Sequence, residues 1–382
     1  MNRTIVTVLI TFLSILATRT AVATDLNTVQ LHGYGSWGYA RTDGNDYING
    51  DESGNWDSSY FALAIAASPI DRLEINAQVF WGEGILDPLE EEYRIELFKY
   101  AFANWRVSDG LQVLVGKVKH PFGIYTEIFD VGTLRPFFSL PNSVYGQAGN
   151  IAEAYNGIGF RGDLDLGNDW AADYDLYVGR LVWQSFNPRA FFAELDPEDD
   201  TPLAELGAEG DIRDIVGARL VVHTPIIGLS VGLSGFSGQE DDFPRHHTVY
   251  GAHLEYVTDH ASLRSEYVHR FSSSSSGLKA DSAYVETSYY LTDHWQGCAR
   301  YEWTDVSLDG VDTSAAPSLL RHVEYGVGIN YWVNPYFVFK LSYHYVDGNR
   351  YAHTLDTVLD EIAQGTLKTI TNLGSFGAQF SF

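Results

Sequence analysis

The chain has 382 residues, 45% hydrophobic and 14% aromatic, with 36 glycines and a formal net charge of −26. Such acidity argues against nucleic acid as a partner, because phosphate backbones are held by clustered Lys and Arg. A single cysteine, Cys298, excludes any disulfide within the chain, so stability has to come from hydrogen bonding and chain closure.

Residues 1–23 carry Arg3, an apolar run from Ile5 to Ala17, and then Ala21-Val22-Ala23. A charged start, a short apolar core and a small-x-small site together read as a secretory signal peptide. Cleavage after Ala23 would remove Arg3 and Arg19, taking the charge from −26 to −28. The mature domain would then run over residues 24–382. No later stretch is apolar enough to span a bilayer as a helix, but β-barrels hide their membrane surface in every second residue.

Strand patterns recur along the whole mature chain. The first covers Val29 to Thr42 and is followed by a polar loop holding Asp43, Asp46, Asp51 and Glu52. The second, Ser58 to Ala67, meets the third across Ser68-Pro69-Ile70-Asp71. In the third, Leu73, Ile75, Ala77, Val79 and Trp81 alternate with Glu74, Asn76 and Gln78, a period of two. An acidic loop with Glu83, Asp87 and Glu90 to Glu92 leads to the fourth strand, Arg94 to Val107.

After a turn at Ser108-Asp109-Gly110, the fifth strand runs from Leu111 to Lys119 and enters a long segment ending near Tyr155. The sixth and seventh, Gly157 to Leu166 and Trp170 to Trp183, precede a second long acidic loop with Glu194, Asp196, Glu198, Asp199 and Asp200. The eighth, Ile212 to His223, and the ninth, Leu229 to Ser237, flank a Pro-Gly turn. Later turns fall at Thr258-Asp259-His260, Thr292-Asp293-His294 and Val333-Asn334-Pro335. A last loop, Asp347 to Lys368, leads to the closing strand.

That closing strand puts Ile370, Gly374, Phe376, Ala378, Phe380 and Phe382 on one face and Thr371, Ser375, Gln379 and Ser381 on the other. An apolar edge ending without a polar tail is one that soluble sheets avoid. It makes sense if the strand closes a barrel against the first and turns its aromatic face to lipid. Ending in Phe, it resembles the terminal signature of Gram-negative outer-membrane barrels.

The pattern predicts an all-β fold: a transmembrane antiparallel barrel of about sixteen strands, with seven short turns at one rim and eight longer loops at the other. Trp170, Trp295, Tyr336, Phe337, Tyr256, Tyr290 and Phe382 beside the short turns fit an interfacial girdle. Phasing each strand by its apolar face leaves a lumen of mixed charge. It holds the basic ladder Arg161, Arg219, Arg264, Arg300 and Lys340, with Lys117, Lys119 and Arg270, opposed by carboxylates including Asp175, Glu255, Glu266, Glu286, Glu302 and Glu324. A barrel of this size cannot fill its interior with wall side chains, so the lumen is expected to hold water. Cys298 falls on the polar face, as a packed inward thiol. The acidic loops either serve solubility or meet divalent cations and lipopolysaccharide at the cell surface.

The segment after the fifth strand differs from the other loops. It reads Gly116-Lys117-Val118-Lys119-His120-Pro121-Phe122-Gly123-Ile124-Tyr125-Thr126-Glu127, then Arg135-Pro136-Phe137-Phe138 and Pro141-Asn142-Ser143-Val144-Tyr145-Gly146. So many aromatics fixed by prolines suit a loop folded against a wall. As the third long loop, folded inward, it would narrow the channel.

The Gly-Lys, the Pro-Phe-Gly and the following Tyr resemble the motif after the fifth strand in phosphate-selective porin O/P-like proteins and their general-porin relatives. The resemblance implies a sixteen-stranded, usually trimeric channel in the bacterial outer membrane, constricted by the third loop. Carried onto this chain, it makes Lys117, Lys119 and Arg135 candidates for an anion-attracting ring, opposed by Glu127 and Asp130. The plainer readings are lysines facing water at a strand end and an arginine in a structural ion pair. The loop lacks the dense Arg and Lys cluster of the phosphate-selective members.

Catalytic and metal signatures are missing: His246-His247 lacks accompanying ligands, and Ser272 to Ser276 with Gly277 reads as a flexible loop. No cofactor is implied. The function expected is passive diffusion of small hydrophilic solutes and ions. The alternatives are a selective uptake channel for an anion such as phosphate or a carboxylate, and an outer-membrane enzyme or a sheath for another complex.

Overall fold

The computed structural model describes residues 29–382 apart from 48–49, 57–58, 83–93, 147–150, 182–210, 241–245, 274–276, 310–312, 315–316, 352–360 and 363. The proposed signal peptide and the acidic residues expected at Glu83 to Glu92 and Glu194 to Asp200 lie outside the described residues.

Sixteen antiparallel strands form one closed barrel. They are β1 Val29–Thr42, β2 Tyr60–Ile70, β3 Leu73–Gly82, β4 Arg94–Ser108, β5 Leu111–Lys119, β6 Ala154–Gly167, β7 Trp170–Leu181, β8 Ile212–His223, β9 Leu229–Glu240, β10 His246–Val257, β11 Ala261–Ser273, β12 Leu278–Tyr290, β13 Trp295–Leu308, β14 Arg321–Asn334, β15 Phe337–Asp347 and β16 Ile370–Ser381. Each strand pairs with its chain neighbours, and β16 pairs with β1 from Tyr34↔Ser381 to Thr42↔Leu373. The last residue completes the seam: the Gly33 and Phe382 peptides exchange N–H···O=C bonds, both 2.9 Å. No strand edge is left open, the condition for a sheet in lipid.

The period of two sorts each strand between lipid and lumen. Along β13, Gln296, Cys298, Arg300, Glu302 and Thr304 are buried inside, while Trp295, Ala299 and Tyr301 face out. The outer face exposes Val216, Leu233, Val327, Leu341 and Leu176, each more than half bare. Water would tolerate no such continuous apolar surface; hydrocarbon does. Trp170, Trp295, Tyr256, Tyr336 and Phe382 are exposed beside the short turns, as an interfacial girdle requires. Cys298 packs inward and its thiol points to the Pro136 carbonyl, 3.7 Å away.

Connector lengths depart from strict alternation. The connectors 241–245 and 274–277 are no longer than the turn at 224–228. The lumen departs from expectation as well. Inward side chains of the wall join the third loop in one apolar cluster, so part of the interior is a packed core.

Candidate functional site: the third loop inside the barrel

The third loop, L3 (residues 120–153), leaves β5 and folds into the lumen. Among its described residues one α-helical turn is present, α1, Asn142–Tyr145, and single 3-10 turns span Thr126–Ile128 and Gly132–Leu134. Phe122, Tyr125, Leu140, Val144 and Tyr145 pack against inward residues of the wall, among them Leu114, Tyr177, Phe236, Val249 and Tyr284.

The Pro-Phe-Gly motif starts this turn inward. His120 is fully buried between the Ala152 carbonyl (Nδ1, 3.0 Å) and the Tyr177 hydroxyl (Nε2, 2.8 Å), and burial pulls its pKa down to about 4, so it is neutral. Phe122 lies edge-on to Phe236. Gly123 takes a left-handed backbone, φ 59°, and a Cβ there would stand 2.4 Å from Tyr145 Oη and 2.5 Å from Glu266 Oε2. The tight turn aims the Ile124 N–H at both of those groups (2.9 and 2.8 Å), and Tyr145 Oη donates to Glu266 at 2.7 Å.

Wall side chains then hold the L3 backbone along its length. Lys340, buried at 3% exposure, donates to the carbonyls of Gly132 (2.8 Å), Arg135 (2.6 Å) and Phe137 (3.1 Å). Arg300 donates to Ser139 O (2.8 Å) and lies over the Phe137 ring. Asn330 reaches Pro136 O (2.8 Å) and Gln379 reaches Phe138 O (3.2 Å). Glu302 accepts the Ser143 N–H at 2.7 Å. A loop peptide buried in a lumen needs such partners, because an unpaired one would cost about 1–3 kcal/mol.

Two charge nodes complete the anchoring. Asp130 is buried among Lys99 (3.2 Å), Gln78 (2.5 Å) and Lys119 (3.9 Å), and Lys99 and Lys119 both also bind Glu153. Burial pushes the Asp130 carboxyl upward, but the two lysines overcome it and hold its pKa below the usual range. Glu127 is bound by Arg161 and Arg219, each at 2.6 Å, and both arginines also bind Asp175. Burial again acts upward, and the two guanidinium groups bring Glu127 down to about 2.

No family model matches the chain, and a search of curated proteins finds no match. Solved structures do match. The anion-selective porin from Comamonas acidovorans shares 9% identity, with 93% of this chain and 99% of that one covered and a TM-score of 0.55. The outer membrane channel DcaP of Acinetobacter baumannii shares 10%, with coverage of 93% and 97% and a TM-score of 0.55. Salmonella typhi OmpF, solved with daunomycin, shares 12%, with coverage of 93% and 97% and a TM-score of 0.54. The chain has the fold of the outer-membrane porins.

Within this porin barrel the residues singled out from the sequence are scattered in role. Lys119, Glu127, Asp130 and Arg135 all lie with L3 on the lumen side. Lys117 does not. Leu114 and Val118 carry the inward face of β5 into the core, whereas Val115 is exposed outside. Lys117 shares that outer face, and its ammonium donates to the Phe98 carbonyl (2.8 Å). Arg135 is buried, donating to Phe129 O at 3.1 Å.

The basic ladder is committed as well. Lys340 and Arg300 hold L3, Arg161 and Arg219 hold Glu127, and Arg264 pairs with Glu255 (2.7 Å) while reaching Leu134 O (3.3 Å). The side chains of Arg161, Glu127 and Glu255 keep about a third of their surface exposed (32%, 31% and 30%). Each of these three partly exposed charges is therefore already opposed by a partner of the other sign.

Sequence reading missed Lys99 and Tyr47. Lys99 escapes the period of two because the β3–β4 register shifts between Gln78 and Phe80, turning Lys99 inward beside the outward Phe98. Tyr47, from the first loop (L1, residues 43–59), is buried in the lumen and accepts a hydrogen bond from Asn142 of L3 at 2.9 Å. A tyrosine in a polar loop carries no signal of that kind.

Proposed function

We propose that this protein is an outer-membrane channel for passive diffusion of small hydrophilic solutes and ions, with L3 as its constriction. One observation carries the reading: a loop from the outer rim lies inside a lipid-facing barrel and is held there by charged and polar wall groups. A protein with no traffic through its lumen has no use for a costly buried loop fixed at so many points. Selection would act by size and by the facing charge pairs Arg161–Glu127 and Arg264–Glu255.

A dedicated anion channel has less in its favour. Among the described residues, Arg135, Arg300 and Lys340 are buried and bound, and the half-buried Lys119 is paired with Glu153 and Asp130, so they form no open positive ring. We further infer a homotrimer in contact with lipopolysaccharide. One solved form of Vibrio cholerae OmpT, at 12% identity and a TM-score of 0.53, is a trimer. Here Trp56 of L1 lies on the outer wall, stacked on Trp37 at 4.9 Å and edge-on to Phe376, an aromatic patch suited to a subunit contact.

Purified protein in a planar bilayer tests the channel: stepwise conductance with a small reversal potential in asymmetric salt is expected. An inserted barrel silent at every voltage would refute it, and crosslinking in detergent tests the trimer.

A further inference from the structure

Where β13 and β14 pass beneath L1 and L3, three metal-binding side chains meet inside the barrel wall. Glu302 and Glu324 are register partners across the two strands, and His322 stands on the same face. All three are completely buried, and one donor atom from each lies within 4.8 Å of the others. His322 Nε2 is 3.6 Å from Glu324 Oε2.

The hydrogen bonding at this spot is incomplete. Glu302 uses Oε2 to accept the Ser143 N–H, but its buried Oε1 has no hydrogen-bond partner. The nearest cation, Arg300 Nη1, stands 3.7 Å from it, and Arg300 is already bound to Glu286 (2.7 Å) and to the Ser139 carbonyl. His322 Nδ1 is likewise buried without a partner. Two carboxylates side by side repel each other, and an unsatisfied buried acceptor is expensive. Something with positive charge and vacant coordination would relieve both.

We propose that Glu302, His322 and Glu324 bind one divalent first-row transition-metal ion, with zinc as the probe. Two carboxylate oxygens and one imidazole nitrogen suit such an ion. Calcium, by contrast, takes six to eight oxygens. Donors now spread over 4.8 Å draw in to roughly 3.4 Å apart around an ion with bonds of about 2.1 Å. The Tyr47 hydroxyl, hydrogen-bonded to Glu324 and 3.5 Å from His322 Nε2, is placed as a fourth donor.

An outer set of partners is also present. His344 Nδ1 contacts Glu324 Oε1 at 2.6 Å, and its Nε2 meets the Ser342 hydroxyl at 2.8 Å, fixing the carboxylate. Tyr47 stacks on one face of the His322 ring, and Tyr351, beneath Arg350, meets it edge-on. Because Glu302 also holds Ser143 of L3 and Tyr47 belongs to L1, the ion would tie both loops to the wall. This inference needs the barrel, not the channel reading.

The test uses the full mature barrel, folded into detergent with excess zinc and then passed through a desalting column. Retention of one zinc per chain is expected, with at least about a tenfold loss in both Glu302→Gln and His322→Gln. Glutamine at 302 keeps an acceptor for Ser143, and heat-modifiable gel migration verifies folding of each variant. Asp51→Asn, in the acidic first loop, should retain the ion. Cobalt(II) in the unaltered barrel should give the intense visible bands of a tetrahedral site with a nitrogen ligand. No retained zinc, equal retention in both variants, or only weak octahedral cobalt bands would overturn the proposal.

Discussion

Lys340 shows how a single side chain changes meaning between sequence and structure. Read along β15 it is one more basic group facing a channel; in the fold it is a clamp that donates to three L3 carbonyls. Hydrogen bonds from a charged donor contribute roughly 1.5–3 kcal/mol each, offset by the cost of burying the ammonium. Lys340→Met should weaken L3 docking by about 1–3 kcal/mol, the cost of leaving a buried carbonyl unpaired, while leaving the barrel intact. The expected readout is noisier, larger unit conductance, with barrel migration unchanged on an unheated gel.

Charges that face the lumen water should behave differently from those buried with L3 or set outside. Arg161→Gln is expected to shift the reversal potential toward cations, whereas Lys117→Gln should leave it in place. Equal shifts in the two would contradict the outward placement of Lys117. Glu127 makes a pH prediction. Its pKa, pulled down to about 2 by Arg219 and Arg161 against burial, lies below the unfolded carboxylate value. Its contribution to L3 docking is therefore complete above the ordinary carboxylate range and is lost as pH falls through about 2. Conductance noise should rise over that window, and Glu127→Gln should show part of that noise already at neutral pH.

At the scale of the element, L3 is a loop with a core of its own, bounded by a turn that only glycine makes cheaply. Gly123→Ala forces a Cβ into Tyr145 and Glu266 at a left-handed backbone position that costs roughly 1–2 kcal/mol before any clash. The variant should insert as a barrel yet expose L3 to proteolysis. If L3 stays as protected as in the parent, the Pro-Phe-Gly turn is not what sets its path. The sequence made the inward fold of L3 legible, because prolines and aromatics in such density have no place in bulk water. It did not reveal what L3 would fold against, since the partners Lys99, Asn330, Lys340 and Gln379 are distant in the chain.

For the whole molecule, the prediction is a detergent-dependent protein, dominated by β-structure in circular dichroism and unfolding as one closed unit. Water solubility without detergent, or largely helical spectra, would be incompatible with the exposed outer face of Val216, Leu233 and Leu341. Closure was legible in the apolar alternation of β16, a face and an edge that both need cover, and the structure supplies the edge with β1.

The sequence by itself determined the number of strands, the sidedness of most of them and the existence of an unusual third loop. These follow from local periodicity, which needs no knowledge of neighbours. Tertiary structure alone decided which lumen charges remain available to passing ions. Whether Arg300 faces water or Ser139, and whether Lys119 attracts an anion or holds Asp130, depends on distances that exist only once L3 has folded against the wall. Electrostatic fate is set by burial and partner, and those exist only once the loop is inside the barrel.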